Sequence, residues 1–166
     1  YHHMVLVGLS DDIYDMPINK LSGGEKRRVA LAGVLAMQPE YLILDEPLSG
    51  LDPEGKKQML DIIDALHKEA GITIIMVSHD IESVAGYADR LVCLKDGELL
   101  SDGQPCQVFY DMFLKNEQGK MYELPVIMQL LIKLRQKGLD VDCLTIDNNV
   151  GIYNIIRALG IEMIGD

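Results

Sequence analysis

The stretch Leu21–Asp52, LSGGEKRRVALAGVLAMQPEYLILDEPLSGLD, constrains this chain more than any other part of it. A double-glycine turn opens a helical run. A four-residue apolar run, Tyr41-Leu42-Ile43-Leu44, follows Pro39 and stops at Asp45-Glu46-Pro47. An apolar run of that length between prolines reads as a buried parallel strand. A second run, Ile72–Val77, has the same character and stops at Ser78-His79-Asp80. Between them, residues 54–69 read as a helix, with Asp52 as N-cap, Pro53 at the first helical position and Gly71 beyond the end. Parallel strands with flanking helices are the α/β class, and ligands in open α/β sheets bind beyond the carboxyl ends of the strands.

That geometry singles out three side chains. Asp45 is placed to hold Mg²⁺ directly or through water. Glu46 is placed to orient or deprotonate a water attacking a γ-phosphate. His79 would sense or stabilise that phosphate from the second strand end. The plainer readings are an exposed acidic turn and a structural histidine.

At the other end of the stretch, Ser22 with Glu25 three residues on is a capping box for a helix over Lys26–Met37, whose first turn is basic. Capping alone would account for those two residues. Gly23 and Gly24 add a consequence: they let backbone approach a ligand closely, and a helix N-terminus offers unpaired N–H groups and a positive dipole end. Such a site suits a terminal phosphate.

Composition sets outer bounds. The 166 residues carry a formal charge of −11 and 48% hydrophobic residues. That supports a packed core and makes unaided binding to nucleic acid or an anionic membrane surface a poor expectation. A nucleotide remains acceptable, because backbone amides and Mg²⁺ handle phosphate without net positive charge. The three cysteines, Cys93, Cys106 and Cys143, are far apart and form no C-x-x-C, so they read as thiols of a reducing compartment. No apolar run approaches the roughly 18 residues of a membrane span. Adjacent His2 and His3 have poor spacing for a shared metal.

The remaining elements are a helix closing over Met4–Leu9, a short helix over Ile81–Tyr87, and a hairpin over residues 90–103 turning at Asp96-Gly97. A helix over Gln104–Leu114 follows, then a polar link. Two amphipathic patterns end the chain, one over Glu123–Lys137 and one from Asp147 to Gly160. The expected organisation is 1–114, a link at 115–122, and a helical region at 123–166.

LSGGE at 21–25, YLILDEP at 41–47, SGLD at 49–52 and SHD at 78–80 stand in one order, and together they closely resemble the ABC-type ATPase domain. In that family they are the signature motif, the Walker B strand with its catalytic glutamate, the D-loop and the switch histidine. GEKRRVALAGVLAMQPEYLILDEPLSGLDP and the tail ELPVIMQLLIKLRQKGLDV are similar to ATPase subunits of energy-coupling-factor vitamin and metal transporters, whose short C-terminal helical region helps pair two ATPase subunits.

The resemblance implies the C-terminal portion of a P-loop NTPase with a short helical appendage, with ATP and Mg²⁺ as cofactors. Glu46 and His79 would be catalytic, Asp45 the metal ligand, and Leu21, Ser22, Gly23, Gly24, Glu25 and Asp52 nucleotide-binding. It also implies a second ATPase subunit, a transmembrane coupling subunit and a substrate-binding membrane subunit as partners, and a peripheral place on the cytoplasmic membrane face. No G-x-x-x-x-G-K-[ST] occurs in the chain. The phosphate loop is therefore expected on a preceding part of a longer ATPase, and this piece alone is expected to expose a sheet edge and be inactive. Two alternatives stand beside this reading: an ABC-class ATPase of DNA repair or chromosome maintenance, and a non-catalytic piece that only completes a partner's site.

Overall fold

The computed structural model describes residues 2–115 and 124–161. The chain forms two compact units, Tyr1–Asp80 and Ile81–Asp166.

The first unit begins with helix α1 (His2–Leu6). The Leu9 amide reaches back to the Met4 carbonyl at 3.1 Å across Gly8, whose φ of +66° supplies the left-handed residue such a helix end requires. Helix α2 (Gly23–Leu35) packs against α1 and buries Leu31, Ala32 and Leu35. Strand β1 (Tyr41–Asp45), helix α3 (Pro53–Lys68) and strand β2 (Thr73–Val77) complete the unit. Helix α3 starts at the Asp52 cap and packs on β2. It buries Met59, Leu60, Ile63 and Leu66, a stripe at helical spacing.

Strands β1 and β2 pair in parallel, with Tyr41 opposite Thr73 and Asp45 opposite Val77. They are not the fully buried strands expected. Alternate residues point to opposite faces, and one face bears Tyr41, Ile43, Ile75 and Val77, between 51% and 70% exposed. Leu42, on the other face, is 4% exposed. A parallel strand is buried on both sides only when both faces of its sheet are covered; among the described residues this sheet has two strands and one covered face.

The second unit starts with helix α4 (Ile81–Val84). Strands β3 (Leu91–Lys95) and β4 (Glu98–Gly103) form the expected antiparallel hairpin, with a register shift at Cys93/Leu94. Its turn residues Asp96 and Gly97 both have positive φ, +52° and +81°, the two-residue turn that matches strand twist. Helices α5 (Pro105–Lys115), α6 (Val126–Gln136) and α7 (Asn148–Ala158) follow. All of the expected link at 115–122 except Lys115 lies outside the described residues.

The core of this unit gathers Ala85, Phe109, Met128, Leu131 and Cys143. Helix α7 crosses α6 at Gly151, the residue it buries. The expected inner face of α7 is only partly inside: Val150, Ile152 and Leu159 are 48%, 51% and 55% exposed, while Ile155 packs against the core. A glycine at the crossing brings the helices close, so the larger apolar residues to either side of it stand away from the contact.

Candidate functional site

The sequence-predicted residues fall into two arrangements, both in the first unit. One is the turn that opens α2. Ser22 Oγ accepts a hydrogen bond from the Glu25 amide at 3.2 Å, and the Ser22 amide donates to Glu25 Oε2 at 2.7 Å, completing the capping box. These bonds occupy the donors at the cap and third helical positions. The amides of Gly23 and Gly24, at the first two helical positions, have no partner within the helix. Both glycines line a cleft of about 600 Å³, together with Ser22, Gly50, Asp52 and Gly55.

Arg28 and Gln58 form part of the cleft wall, with Arg28 Nη1 donating to Gln58 Oε1 at 3.2 Å. The Arg28 Nε is buried and has no hydrogen-bond partner. The amides of a helix N-terminus and the positive charge of Arg28 give the cleft a character that fits an anionic group such as a phosphate. Asp52 spends one carboxylate oxygen on the Gly55 amide at 2.9 Å, which fixes the turn bordering the cleft. Leu21 is 5% exposed and anchors the turn from inside.

The Glu25 carboxyl is held below its ordinary range, chiefly by the Ser22 amide, then by the Ser22 hydroxyl, with a further contribution from the charge of Arg28. A depressed carboxyl contributes stability above its unfolded-state range and loses it as pH falls through the folded value. Replacing Ser22 by Ala removes the helix cap and should cost about 1 kcal/mol. The destabilisation caused by Glu25→Ala should be present at pH 7 and vanish in acid below the carboxylate range, which denaturant titrations across pH would read.

The second arrangement lies at the carboxyl ends of β1 and β2. Because Asp45 stands opposite Val77, the next residues of both strands emerge side by side. The Glu46 amide donates to the Val77 carbonyl at 2.9 Å, and His79 Nδ1 lies 2.7 Å from Glu46 Oε1. The imidazole is 80% exposed and the carboxylate 35% exposed, so the pair faces solvent with its chemistry available. Glu46 has φ +46°, a left-handed conformation, although it precedes a proline. Residues in that position normally take extended backbone. Asp45 is exposed at the strand end. Among the described residues no cluster of three metal-ligating side chains exists. One carboxylate nevertheless fits Mg²⁺, which commonly takes one or two carboxylates and completes its shell with water and substrate phosphates.

The structure thus brings Glu46 and His79 together, and Ser22, Gly23, Gly24 and Asp52 together. Three connections were not legible in the sequence. Arg27 Nη1 donates to the Pro47 carbonyl at 3.4 Å, tying α2 to the loop after Glu46. Arg28 pairs with Gln58. Lys56 forms an ion pair with Asp80, the neighbour of His79. Only the basic first turn of α2 hinted at the first two.

A family model described as ABC transporter matches residues 1–49. The chain is 43% identical over 144 residues to the energy-coupling factor transporter ATP-binding protein EcfA2 of Streptococcus agalactiae serotype Ia, covering 87% of this chain and 50% of that protein. It is 47% identical over 139 residues to EcfA2 of Clostridium perfringens (strain 13 / Type A), covering 83% and 48%. The chain spans about half the length of the curated relatives it matches. Among solved structures, cbiO1 of Clostridium perfringens, described as part of the ABC transporter complex cbiONQ, is similar with a TM-score of 0.64 and 37% identity, covering 82% of this chain and 49% of that one. A dimeric ATP-binding cassette in a post-hydrolysis state, bound to ADP and Pi, aligns with a TM-score of 0.56 and 30% identity over 63% of this chain and 44% of that one.

Proposed function

On the premise that sequence and fold are those of an ABC-type ATPase, similar to the energy-coupling-factor ATP-binding proteins, we propose that this chain belongs to an ATP-binding and ATP-hydrolysing subunit that powers transmembrane uptake of a micronutrient, a vitamin or a metal ion. The observation that carries the reading is the 2.7 Å contact between Glu46 and His79 at adjoining carboxyl ends of parallel strands, with the glycine-turn cleft as a second, separate arrangement.

The residues divide the work accordingly. Glu46 accepts the proton of the attacking water, and an imidazole held on the same carboxylate stabilises charge at the γ-phosphate. Asp45 holds Mg²⁺, which neutralises charge on the phosphates when bound. Ser22, Gly23 and Gly24, positioned by Leu21 and Glu25, cover the γ-phosphate of a nucleotide seated on a second ATPase subunit. Asp52 joins the two sites across that interface. A transmembrane coupling subunit and a substrate-binding membrane subunit complete the assembly, with the ATPase peripheral on the cytoplasmic face; no helix among the described residues is long and apolar enough to cross a membrane. Nucleic acid is not a partner on this reading, in keeping with the charge of −11. On this reading residues 1–114 are the ATPase segment, and α6 and α7 belong to an appended region.

Mixing the 166-residue chain with Mg²⁺ and ATP tests the division of labour. No phosphate release above background is expected, because no G-x-x-x-x-G-K-[ST] is present to hold the β- and γ-phosphates against Glu46. Hydrolysis by the chain alone would overturn the assignment of two half-sites to two nucleotides.

A further inference from the structure

We propose that Lys56 is a positioning residue for His79, acting through Asp80 from the first turn of α3. The proposal rests on the reading of Glu46 and His79 as the hydrolytic pair.

His79 hangs from a short turn at the end of β2, and its imidazole is 80% exposed. Little packing surrounds the ring, so its placement against Glu46 depends on how firmly the 78–80 backbone is held. The Asp80 amide donates to Ser78 Oγ at 3.0 Å, closing the turn from within. Its carboxylate is paired with the Lys56 ammonium, the side chains being 18% and 33% exposed. Fully exposed ion pairs hold geometry weakly because water screens them; partly buried pairs are screened less. Asp80 is thus an anchor point one residue from the imidazole, and Lys56 is a group that holds it.

The placement of Lys56 gives the anchor a second meaning. Its amide bonds to the Asp52 carbonyl at 2.9 Å, so it sits in the turn that Asp52 caps. The same turn supplies Asp52, Glu54 and Gly55 to the cleft wall. One rigid helical turn therefore borders the cleft on one side and holds the histidine loop on the other.

In the intact ATPase that contains this chain, Lys56→Met should lower kcat about tenfold or more while leaving KM for ATP within about twofold, since small misplacements of reacting groups act on turnover. Lys56→Arg, which keeps a cation of similar reach, should restore most of the rate. Lys57→Met removes the same charge at the next, exposed position and should leave kcat unchanged. Asp80→Asn cuts the pair from the other side and should reproduce Lys56→Met if that variant folds poorly.

A second measurement uses the 166-residue chain and no activity. The imidazole NMR signals of His79 should move on Glu46→Gln in the parent and not move in the Lys56→Met background, with thermal unfolding showing both folded. Unchanged kcat in Lys56→Met and Asp80→Asn, or an equal imidazole response in both backgrounds, overturns the proposal. An intact parent that does not hydrolyse ATP would overturn the functional reading instead, and the imidazole measurement would still decide the positioning role.

Discussion

In the intact ATPase proposed for this chain, Glu46→Gln should keep ATP binding and cut turnover by about 10²-fold or more. The magnitude is that of a positioned general base, about 10² to 10⁴ in rate. The substitution is nearly isosteric and leaves the 2.9 Å backbone bond from residue 46 to Val77 in place. Its amide oxygen can still face His79 Nδ1, so the local geometry survives. What is lost is a carboxylate able to take a proton from water. Asp45 and the cleft residues are untouched, so the affinity for ATP should stay within a few-fold of the parent. The expected outcome is an enzyme that binds nucleotide and stalls before hydrolysis. Single-turnover kinetics beside equilibrium nucleotide binding separate the two quantities. Near-normal turnover would remove Glu46 from the chemistry. A parallel loss of binding would show that it holds nucleotide or Mg²⁺ instead.

The largest stability effect is expected at Gly151. A Cβ placed there would lie 2.3 Å from Ile127 Cγ1 and 2.6 Å from Ile127 Cδ1, with Leu131 Cδ1 at 3.5 Å. Neither neighbour has room to yield: Ile127 is 5% exposed and Leu131 is fully buried. Gly151→Val should therefore force α7 away from α6. Overpacking of this kind costs about 1–3 kcal/mol, and the better helix propensity of valine returns only a few tenths of that. The midpoint of thermal unfolding should fall by several degrees. Ile127→Ala should be destabilising alone yet should restore part of the loss when combined with Gly151→Val, a non-additivity that identifies the contact as the cause. A valine variant as stable as the parent would mean that the helices do not cross at this glycine.

The Ser22–Glu25 capping box, the Asp52 cap and the Asp96-Gly97 hairpin were legible because each depends on neighbours within a few residues, and the α/β reading with its two parallel strands was legible from the order of apolar runs and helices along the chain. The meeting of Glu46 with His79 was legible only as two strand ends; the register that aligns Asp45 with Val77 is what turns it into a 2.7 Å contact. Lys56 gave no signal. It looks like any lysine on the polar side of a helix, and its partner lies 24 residues away. The exposure of Ile43 and Ile75 was hidden for a related reason. An apolar strand shows that both faces suit burial, while coverage depends on what packs there. In α7 the apolar period predicted an inner face, but the helix crossing is set by the absence of a side chain at Gly151, which hydrophobic periodicity does not register.

The backbone at Glu46 carries a consequence of another kind. A non-glycine residue at φ +46° gives up about 1 kcal/mol relative to ordinary backbone. Glycine at this position would relax the turn and make the chain more stable, and on the proposed reading would leave nothing to take a proton. On the proposed reading, stability alone would favour glycine at this position and turnover would favour glutamate. Gln38 and Asp96 share this backbone, both at φ +52°, so a screen for thermal endurance without an activity check should favour glycine at these positions, and on the proposed reading only at Glu46 would the gain come at the expense of turnover.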